Sequence, residues 1–100
     1  MKDELENAFK ALGDSTRLKI LELLKKPGKS ACDLIKRNEK GLCACDIEDE
    51  IGLSQAAISH HMDILCRAGL VISEKRGRWM FYARNEEALN NLSQALARLI

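Results

Sequence analysis

Two cysteines separated by one residue, Cys43 and Cys45, carry the most distinctive chemistry of this chain. Paired thiolates favour thiophilic ions such as As(III), Cd(II), Pb(II) or Zn(II). In a regular helix, side chains two positions apart point about 200° away from each other and cannot hold one ion. In extended backbone they lie on the same side. Ion binding therefore predicts that the backbone around Ala44 is extended or distorted.

Two other cysteines, Cys32 and Cys66, are candidates for a third thiolate. Cys32 lies in a polar segment before the pair, whereas Cys66 lies at the edge of an apolar stripe, where a cysteine is often a small core residue. The thiols can instead form a disulfide or persulfide and respond to oxidants, or they can hold a structural zinc ion whose removal unfolds the chain. Two inert buried thiols are the remaining interpretation of the pair.

A helix over residues 54–68, the reading helix, is predicted to position a second set of chemically active side chains. Ser54 is a good N-cap residue, and Gly69 ends the segment. The helical spacing predicts a buried stripe of Ile58, Met62 and Leu65, with His61 on its flank.

The side of the reading helix opposite Ile58 carries side chains that can contact DNA. Gln55 can form a bidentate contact with adenine, and Ala56 can meet a thymine methyl group. Ser59 and His60 can contact bases or phosphates. His61, in contrast, is expected to pack and hydrogen bond inside the domain. With its cap, the predicted DNA-contacting set of this helix is Ser54, Gln55, Ala56, Ser59 and His60.

A short helix and a glycine corner precede the reading helix. The spacing of Ala44, Ile47 and Ile51 marks the short helix. Gly52 ends it, and Leu53 is expected to pack inward before the cap. Two helices that meet at a steep angle need such a corner, so the pattern predicts a helix-turn-helix.

After Gly69 the apolar residues change from helical to strand spacing. One strand begins at residues 70–72, the chain turns at Arg76-Gly77, and residues 79–83 return as an aromatic second strand. The formal net charge of the chain is only +1, but residues 67–84 contain five basic residues and one acid. The basic tip of this hairpin, the wing, suits phosphate contact or minor-groove insertion through Lys75, Arg76 and Arg78.

Three further helices are expected to frame this unit. The first has apolar residues at helical spacing and stops at Gly13, and the second is capped by Asp14 or Ser15 and ends at Pro27-Gly28. A short helix over residues 31–37 and a turn at residues 39–41 are expected between the second helix and Cys43. The predicted apolar faces are Leu5, Ala8, Phe9 and Leu12 in the first helix, and Leu18, Leu21 and Leu24 with Ile20 beside them in the second.

A final helix from Glu86 carries Leu89, Leu92, Leu96 and Leu99 at helical spacing. So long an apolar stripe on a terminal helix predicts packing against a second subunit, together with the first helix. The predicted fold is mainly α with a small β-hairpin. It is a dimeric winged helix-turn-helix of order α-α-α-α-β-β-α, with the helix at residues 31–37 as an extra element.

The length of 100 residues and the hydrophobic fraction of 46% predict a single domain over residues 1–100. No apolar leader follows Met1 and no run of about eighteen apolar residues exists, so a cytoplasmic protein without a membrane span is expected. In the reducing cytoplasm, the four cysteines are expected to be free thiols, metal ligands or redox sensors rather than a disulfide framework. The sequence contains no nucleophile with a plausible base and no phosphate-binding glycine loop, so nothing in it indicates an enzyme.

A set of short motifs runs through nearly the whole chain. They are Leu12-Gly13-Asp14-Ser15-Thr16-Arg17-Leu18, Leu42-Cys43-Ala44-Cys45-Asp46-Ile47, Leu53-Ser54-Gln55, Ile58-Ser59-His60-His61-Met62, Arg67-Ala68-Gly69-Leu70-Val71, and Gly77-Arg78-Trp79 with Phe81-Tyr82. This combination resembles the ArsR/SmtB family of dimeric winged-helix repressors, which release DNA on binding a metal or metalloid. The resemblance implies a homodimer through the first and last helices, double-stranded DNA with an inverted-repeat operator, and an arsenic-type thiolate sensor at Cys43 and Cys45.

Two departures from the family pattern qualify the sensor. Glu48 stands where a third cysteine often follows, so Cys32, Cys66 or a partner residue must complete a trigonal site, for which As(III) is the favoured ion. Residues 86–100 contain no His, Asp or Cys, so the family's other metal site, on the last helix, is not expected. Ion binding is expected to unwind or re-aim the start of the short helix that supports the reading helix.

Overall fold

The computed structural model of the protein describes residues 2–25 and 41–100. Within these ranges the chain is mainly helical, with three short strands in one antiparallel sheet, which confirms the predicted fold class. The predicted helix at residues 31–37, the predicted stop at Pro27-Gly28 and Cys32 lie outside the described residues. In chain order the elements are α1 (Lys2–Leu12), α2 (Ser15–Leu23), β1 (Leu42–Cys43), α3 (Ala44–Ile51), α4 (Gln55–Arg67), β2 (Val71–Arg76), β3 (Trp79–Arg84) and α5 (Glu86–Leu99).

Helix α4, the predicted reading helix, packs one face into the hydrophobic core. Ile58, Met62 and Leu65 are buried, as their spacing predicts. They pack with apolar side chains from the other helices and from the sheet, so one side of α4 is held firmly while the other faces solvent. The core consists of Ala8, Ala11, Ile20, Leu21, Leu24, Leu42, Ile47, Ile58, Met62, Leu65, Leu70, Val71 and Tyr82.

A glycine corner joins α3 to α4. Gly52 adopts φ 77° and ψ 21°, in the left-handed region that favours glycine. The hydroxyl oxygen of Ser54 accepts a hydrogen bond from the backbone amide of Ala57 at 3.2 Å. Both features confirm the predicted corner and cap. Leu53 is 39% exposed, so the prediction that it packs inward is wrong. Leu53 lies between Gly52 and the cap Ser54, in a connection that runs over the surface.

Helix α2 lies beside α4 and is capped by Asp14, one of the two predicted caps. Ile20, Leu21 and Leu24 are buried, but Leu18 is 52% exposed, so its predicted place on the apolar face is wrong. At about 100° per residue, Leu18 lies about 120° around the helix from Leu24, outside the buried sector.

The sheet has the strand order β1-β3-β2, so the second strand of the wing is central. Strand β1 was not predicted, and the hairpin turns at residues 77–78, one residue later than expected. Residues directly opposite each other in antiparallel strands share a face of the sheet. One row across the sheet is therefore Cys43, Phe81 and Glu74, and the adjacent row, on the opposite face, is Leu42, Tyr82 and Ser73.

Helix α5 is fixed at its start and lightly packed along its length. The Asn85 side chain accepts a hydrogen bond from an amide in the first turn of α5 (3.2 Å) and donates one to a carbonyl after α4 (2.9 Å). No residue of α5 is buried. Leu89 and Leu92 pack partly on the core, whereas Leu96 and Leu99 are exposed. A groove of about 570 Å³ runs between α1 and α5.

Candidate DNA interface and thiol site

The outer face of α4 presents the predicted DNA-contacting side chains to solvent. Gln55, Ala56, Ser59 and His60 are all exposed. Ser54 is exposed as well, but its hydroxyl oxygen already accepts the amide of the first turn. The structure therefore presents four of the five predicted residues as an open surface and gives Ser54 a role in starting the helix.

His61 faces inward and joins a polar cluster between α2 and α4. The Arg17 guanidinium donates to the Ala11 carbonyl oxygen at 2.6 Å and to Nδ1 of His61 at 3.1 Å. Because arginine has no acceptor, Nδ1 of His61 accepts this bond. Nδ1 also lies 3.8 Å from the Asp14 carboxylate. These contacts agree with the prediction that His61 bonds inside the domain.

The carboxylate of Asp14 serves both the cap and this cluster. The backbone N–H of Arg17, 3.1 Å away, lowers the pKa of Asp14 below its usual value, and the positive charge of Arg17 acts in the same direction. Partial desolvation opposes the shift. The ionised form of Asp14 is thus favoured in the folded chain.

The basic residues of the wing are presented in two different ways. Lys75 and Arg78 are exposed. The Arg76 side chain is only 16% exposed, and its guanidinium lies 3.9 Å from the centre of the Phe81 ring and 3.1 Å from the Glu74 carboxylate. The side chains of Lys75 and Arg78 are thus open to solvent, whereas that of Arg76 is folded back along the sheet.

The two sulfurs of the Cys43–Cys45 pair lie 3.0 Å apart. Cys43 ends β1 and is the N-cap of α3, with extended backbone at φ −66° and ψ 150°. Cys45 lies in the first turn of α3. The extended geometry that the spacing requires is therefore present at Cys43, and the two sulfurs meet without unwinding of α3; that ion binding unwinds or re-aims the start of α3 stays a prediction.

Cys66 lies on the other face of the sheet, near the row of Tyr82 and Ser73. Burial raises the pKa of the Cys66 thiol, the hydrogen bond with Ser73 partly opposes this, and the charge of Asp63 adds to it. Burial likewise raises the pKa of Tyr82. Burial therefore makes the thiolate of Cys66, the form that binds metal ions, harder to form than that of a solvent-exposed cysteine.

Within residues 2–25 and 41–100, no three His, Cys, Asp or Glu side chains are placed to hold one metal ion. Cys66 therefore does not join Cys43 and Cys45 in a three-ligand group. Cys32, the other predicted third ligand, lies outside the described residues. What the structure brings together is a two-thiol site.

The sequence did not single out two residues that organise these surfaces. Arg17 bonds backbone of α1 and a side chain of α4, and Phe81 lies between Cys43 and Arg76 in the sheet. The available signal for Arg17 was its position three residues after the cap Asp14, where its backbone N–H donates to the capping carboxylate. Phe81 gave no comparable signal, because its neighbours depend on the unpredicted strand β1.

Comparison with known proteins identifies the family of this chain. The family described as "Bacterial regulatory protein, arsR family" matches residues 36–73. An uncharacterised HTH-type transcriptional regulator of Bacillus subtilis, YbzH, is 38% identical over 88% of this chain and 90% of its own length. This chain belongs to the ArsR family. It is thus related to transcriptional regulators rather than to enzymes.

Other ArsR-family relatives have more specific names. The arsenical resistance operon repressor of Bacillus subtilis is 34% identical over 87% of this chain and 71% of that protein. A cadmium resistance regulatory protein homologue from Staphylococcus aureus is 32% identical over 89% of this chain and 64% of that protein. Both names describe resistance to thiophilic elements.

Solved structures of ArsR-like regulators have the same fold. An ArsR-like regulator from Rhodococcus matches with a TM-score of 0.74 and 31% identity, over 98% of this chain and 80% of that one. A Mycobacterium bovis domain described as a homodimeric winged helix-turn-helix matches with a TM-score of 0.71 and 20% identity, over 97% and 79%. In the described part of this ArsR-family chain, no helix has the length and apolar character needed to cross a membrane.

Proposed function

We propose that this ArsR-family chain is a cytoplasmic repressor that releases its operator when a thiophilic ion binds Cys43 and Cys45. The observation that carries the proposal is the 3.0 Å contact between the two sulfurs at the junction of β1 and α3. Soft thiolate pairs suit As(III), Cd(II), Pb(II) and Zn(II), and As(III) is favoured because relatives are named for arsenical resistance.

DNA is read by the exposed face of α4 and held by the wing. Gln55, Ser59 and His60 reach base edges or phosphates in the major groove, and Ala56 meets a thymine methyl group. Lys75 and Arg78 contact the phosphate backbone or enter the minor groove. Gln55→Ala should weaken operator binding more than non-operator binding, whereas Lys75→Ala should weaken both and reduce the salt slope by about one.

The functional unit is a homodimer through α1 and α5, and it binds an inverted-repeat operator. Phe9 on α1 and Leu96 and Leu99 on α5 are exposed apolar side chains that a second copy can cover. The groove between α1 and α5 adds to this surface. Two-fold symmetry then places two copies of α4 in successive major grooves.

A trigonal ion needs a third ligand. Both sulfurs of the Cys43–Cys45 pair lie within the described residues, and one more sulfur is required. We propose Cys32 as this ligand, because Cys66 lies near Ser73, on the face of the sheet opposite Cys43, and forms no three-ligand group with the pair. Cys32→Ser should then lower As(III) affinity, whereas Cys66→Ser should leave it unchanged.

The deciding experiment measures operator affinity of the reduced protein during titration with As(III), Cd(II) and Zn(II). The wild-type chain should lose affinity on ion binding. Cys43→Ser with Cys45→Ser should bind the operator as tightly as wild type and no longer respond to the ion. A double variant that still responds would refute the thiol site and leave the DNA-binding function intact.

A redox switch is the second candidate, and the same 3.0 Å contact favours it. Peroxide would oxidise the two thiols to a Cys43–Cys45 disulfide; the two electrons and two protons reduce one peroxide to two waters. Counting the thiols consumed by peroxide and by As(III), each against operator release, separates the candidates. Release by peroxide alone would favour the redox switch.

A further inference from the structure

We propose that Phe81 transmits the state of the Cys43–Cys45 pair to the wing by positioning the Arg76 guanidinium. The proposal rests on the thiol site of the proposed function. It adds the sheet as the route by which the thiols reach the DNA-binding surface, and it makes Arg76 a positioning residue instead of a DNA contact.

The Phe81 ring is enclosed by groups from both ends of this route. Cys43 lies directly opposite Phe81 on β1, and Glu74 lies directly opposite it on β2. Side chains so paired have their Cβ atoms about 5 Å apart on one face of the sheet. The ring is buried, so a displacement of Cys43 is met by packed atoms and not by solvent.

The backbone at Gly41 closes the edge of the ring. Gly41 has φ 131°, and a Cβ built there would lie 2.5 Å from Cζ of Phe81. Only glycine therefore lets the chain pass this close to the ring before it enters β1. The ring cannot shift toward Gly41 when Cys43 moves, so the movement is directed toward the face that carries Arg76.

Contacts with Phe81 and Glu74 help to hold Arg76 on that face. Its guanidinium lies 3.9 Å from the ring centre, a cation–π distance, and 3.1 Å from the Glu74 carboxylate. Arg76 is the last residue of β2, directly before the turn. Its placement thus sets the direction in which the neighbouring Lys75 and Arg78 leave the sheet.

Ion binding supplies the displacement. On one tetrahedral Zn(II) ion, with zinc–sulfur bonds of about 2.3 Å, the two thiolates would lie roughly 3.8 Å apart, and the larger Cd(II) ion would hold them further apart. The sulfurs are 3.0 Å apart here, so they must separate. Cys45 is partly buried on α3, whereas Cys43 is 1% exposed and lies directly opposite Phe81. The part of the separation that Cys43 takes up therefore falls on packed atoms, among them those of its neighbour Phe81.

The chain contains one tryptophan, Trp79, and it reports on this route. Trp79 lies directly opposite Arg76 in the hairpin, on the same face as Phe81, and is 40% exposed. Its fluorescence can therefore detect a change in the wing without DNA, independently of repression.

The experiment uses Cd(II) as the probe and makes three measurements: ions bound per subunit, Trp79 emission without DNA, and operator affinity. In wild type, Cd(II) should shift Trp79 emission and weaken operator binding by about tenfold or more, within the usual range of allosteric coupling. Phe81→Leu and Arg76→Lys should bind as much Cd(II), but the loss of operator affinity should fall below about threefold.

Tyr82→Phe is the matched control, because Tyr82 is the next residue of β3 but faces the core. It should respond as wild type does. If Phe81→Leu does not fold, Arg76→Lys and the wild-type Trp79 signal decide. The route is overturned if Cd(II) binds all variants, weakens their operator binding equally and leaves Trp79 emission unchanged. The thiol sensor would stand in that case. Failure of both Cd(II) and As(III) to bind wild type overturns the sensor itself.

Discussion

Helix α4 and the edge strand β1 are held in place in contrasting ways. Helix α4 has a side-chain cap, a glycine corner and three buried residues, and Arg17 ties its His61 to the backbone of α1. Both side chains of β1 are buried, but the strand has only two residues, and among the described strands it pairs with β3 alone. A surface that recognises DNA must keep its shape, whereas a site that responds to an ion must move. The proposed function thus places recognition on a long helix with several anchors and sensing where a two-residue strand meets α3.

The strongest way to break this contrast is to remove the anchor of α4. Met62→Ala leaves a cavity in the core, and we expect it to lower the free energy of unfolding by about 2–5 kcal/mol. Asp63→Ala, the matched control, removes an exposed ion pair with Arg67 on the same helix and should cost less than about 1 kcal/mol. Urea denaturation measures both. Equal effects would show that α4 is not anchored through its buried stripe.

The next change tests the tie between α4 and the other helices. Arg17→Ala removes the donor to Ala11 and to His61, and leaves partly buried acceptors unpaired; we expect a loss of about 1–3 kcal/mol. Arg17→Lys keeps the charge but not the forked geometry and should recover only part of it. Denaturation of the two variants beside wild type checks this. Full recovery by lysine would show that charge alone matters.

The cap of α4 is expected to have a smaller effect. Ser54→Ala removes the acceptor for the first-turn amide and should cost about 1 kcal/mol. Ser59→Ala, an exposed serine on the same helix without a capping role, should leave stability within about 0.5 kcal/mol. If Ser59→Ala costs as much as Ser54→Ala, the effect does not come from capping.

The smallest effect is one of pH. The pKa of Asp14 is lowered chiefly by the backbone N–H of Arg17, so its ionised form stabilises the fold. This contribution is present above the ordinary pKa of 3.8 and is lost as the pH falls through the lowered folded value. Asp14→Asn keeps a capping side chain but does not titrate. Its stability should therefore fall less steeply in acid than that of wild type, as thermal unfolding between pH 5 and 2 would show.

The sequence predicted the anchored region better than the region at the edge. The signals for α4 are local: a cap, a terminating glycine and apolar residues at helical spacing. Strand β1 is too short to show a period, and its partner β3 is distant in sequence. The spacing of Cys43 and Cys45 correctly required extended backbone, but it could not show that a strand ends there. Leu18 and Leu53 show that apolar residues at a helix boundary or corner need not be buried.

The side-chain contacts of the candidate site were predicted least well. Arg76 was expected at the tip of the wing because it is basic and close to a turn. Its stacking on Phe81 depends on which face each strand residue occupies, and the register of the hairpin decides that. A change of one residue in the position of the turn is enough to reverse the assignment.

The light packing of α5 has a consequence for how the protein responds to its own abundance. No residue of α5 is buried in the single chain, so if two chains pair through α1 and α5 as proposed, folding and pairing are linked by mass action. For such a dimer, each tenfold dilution would remove about 1.4 kcal/mol of apparent stability. Cells with few copies of the chain would then hold less folded dimer, and the occupancy of DNA would fall with it.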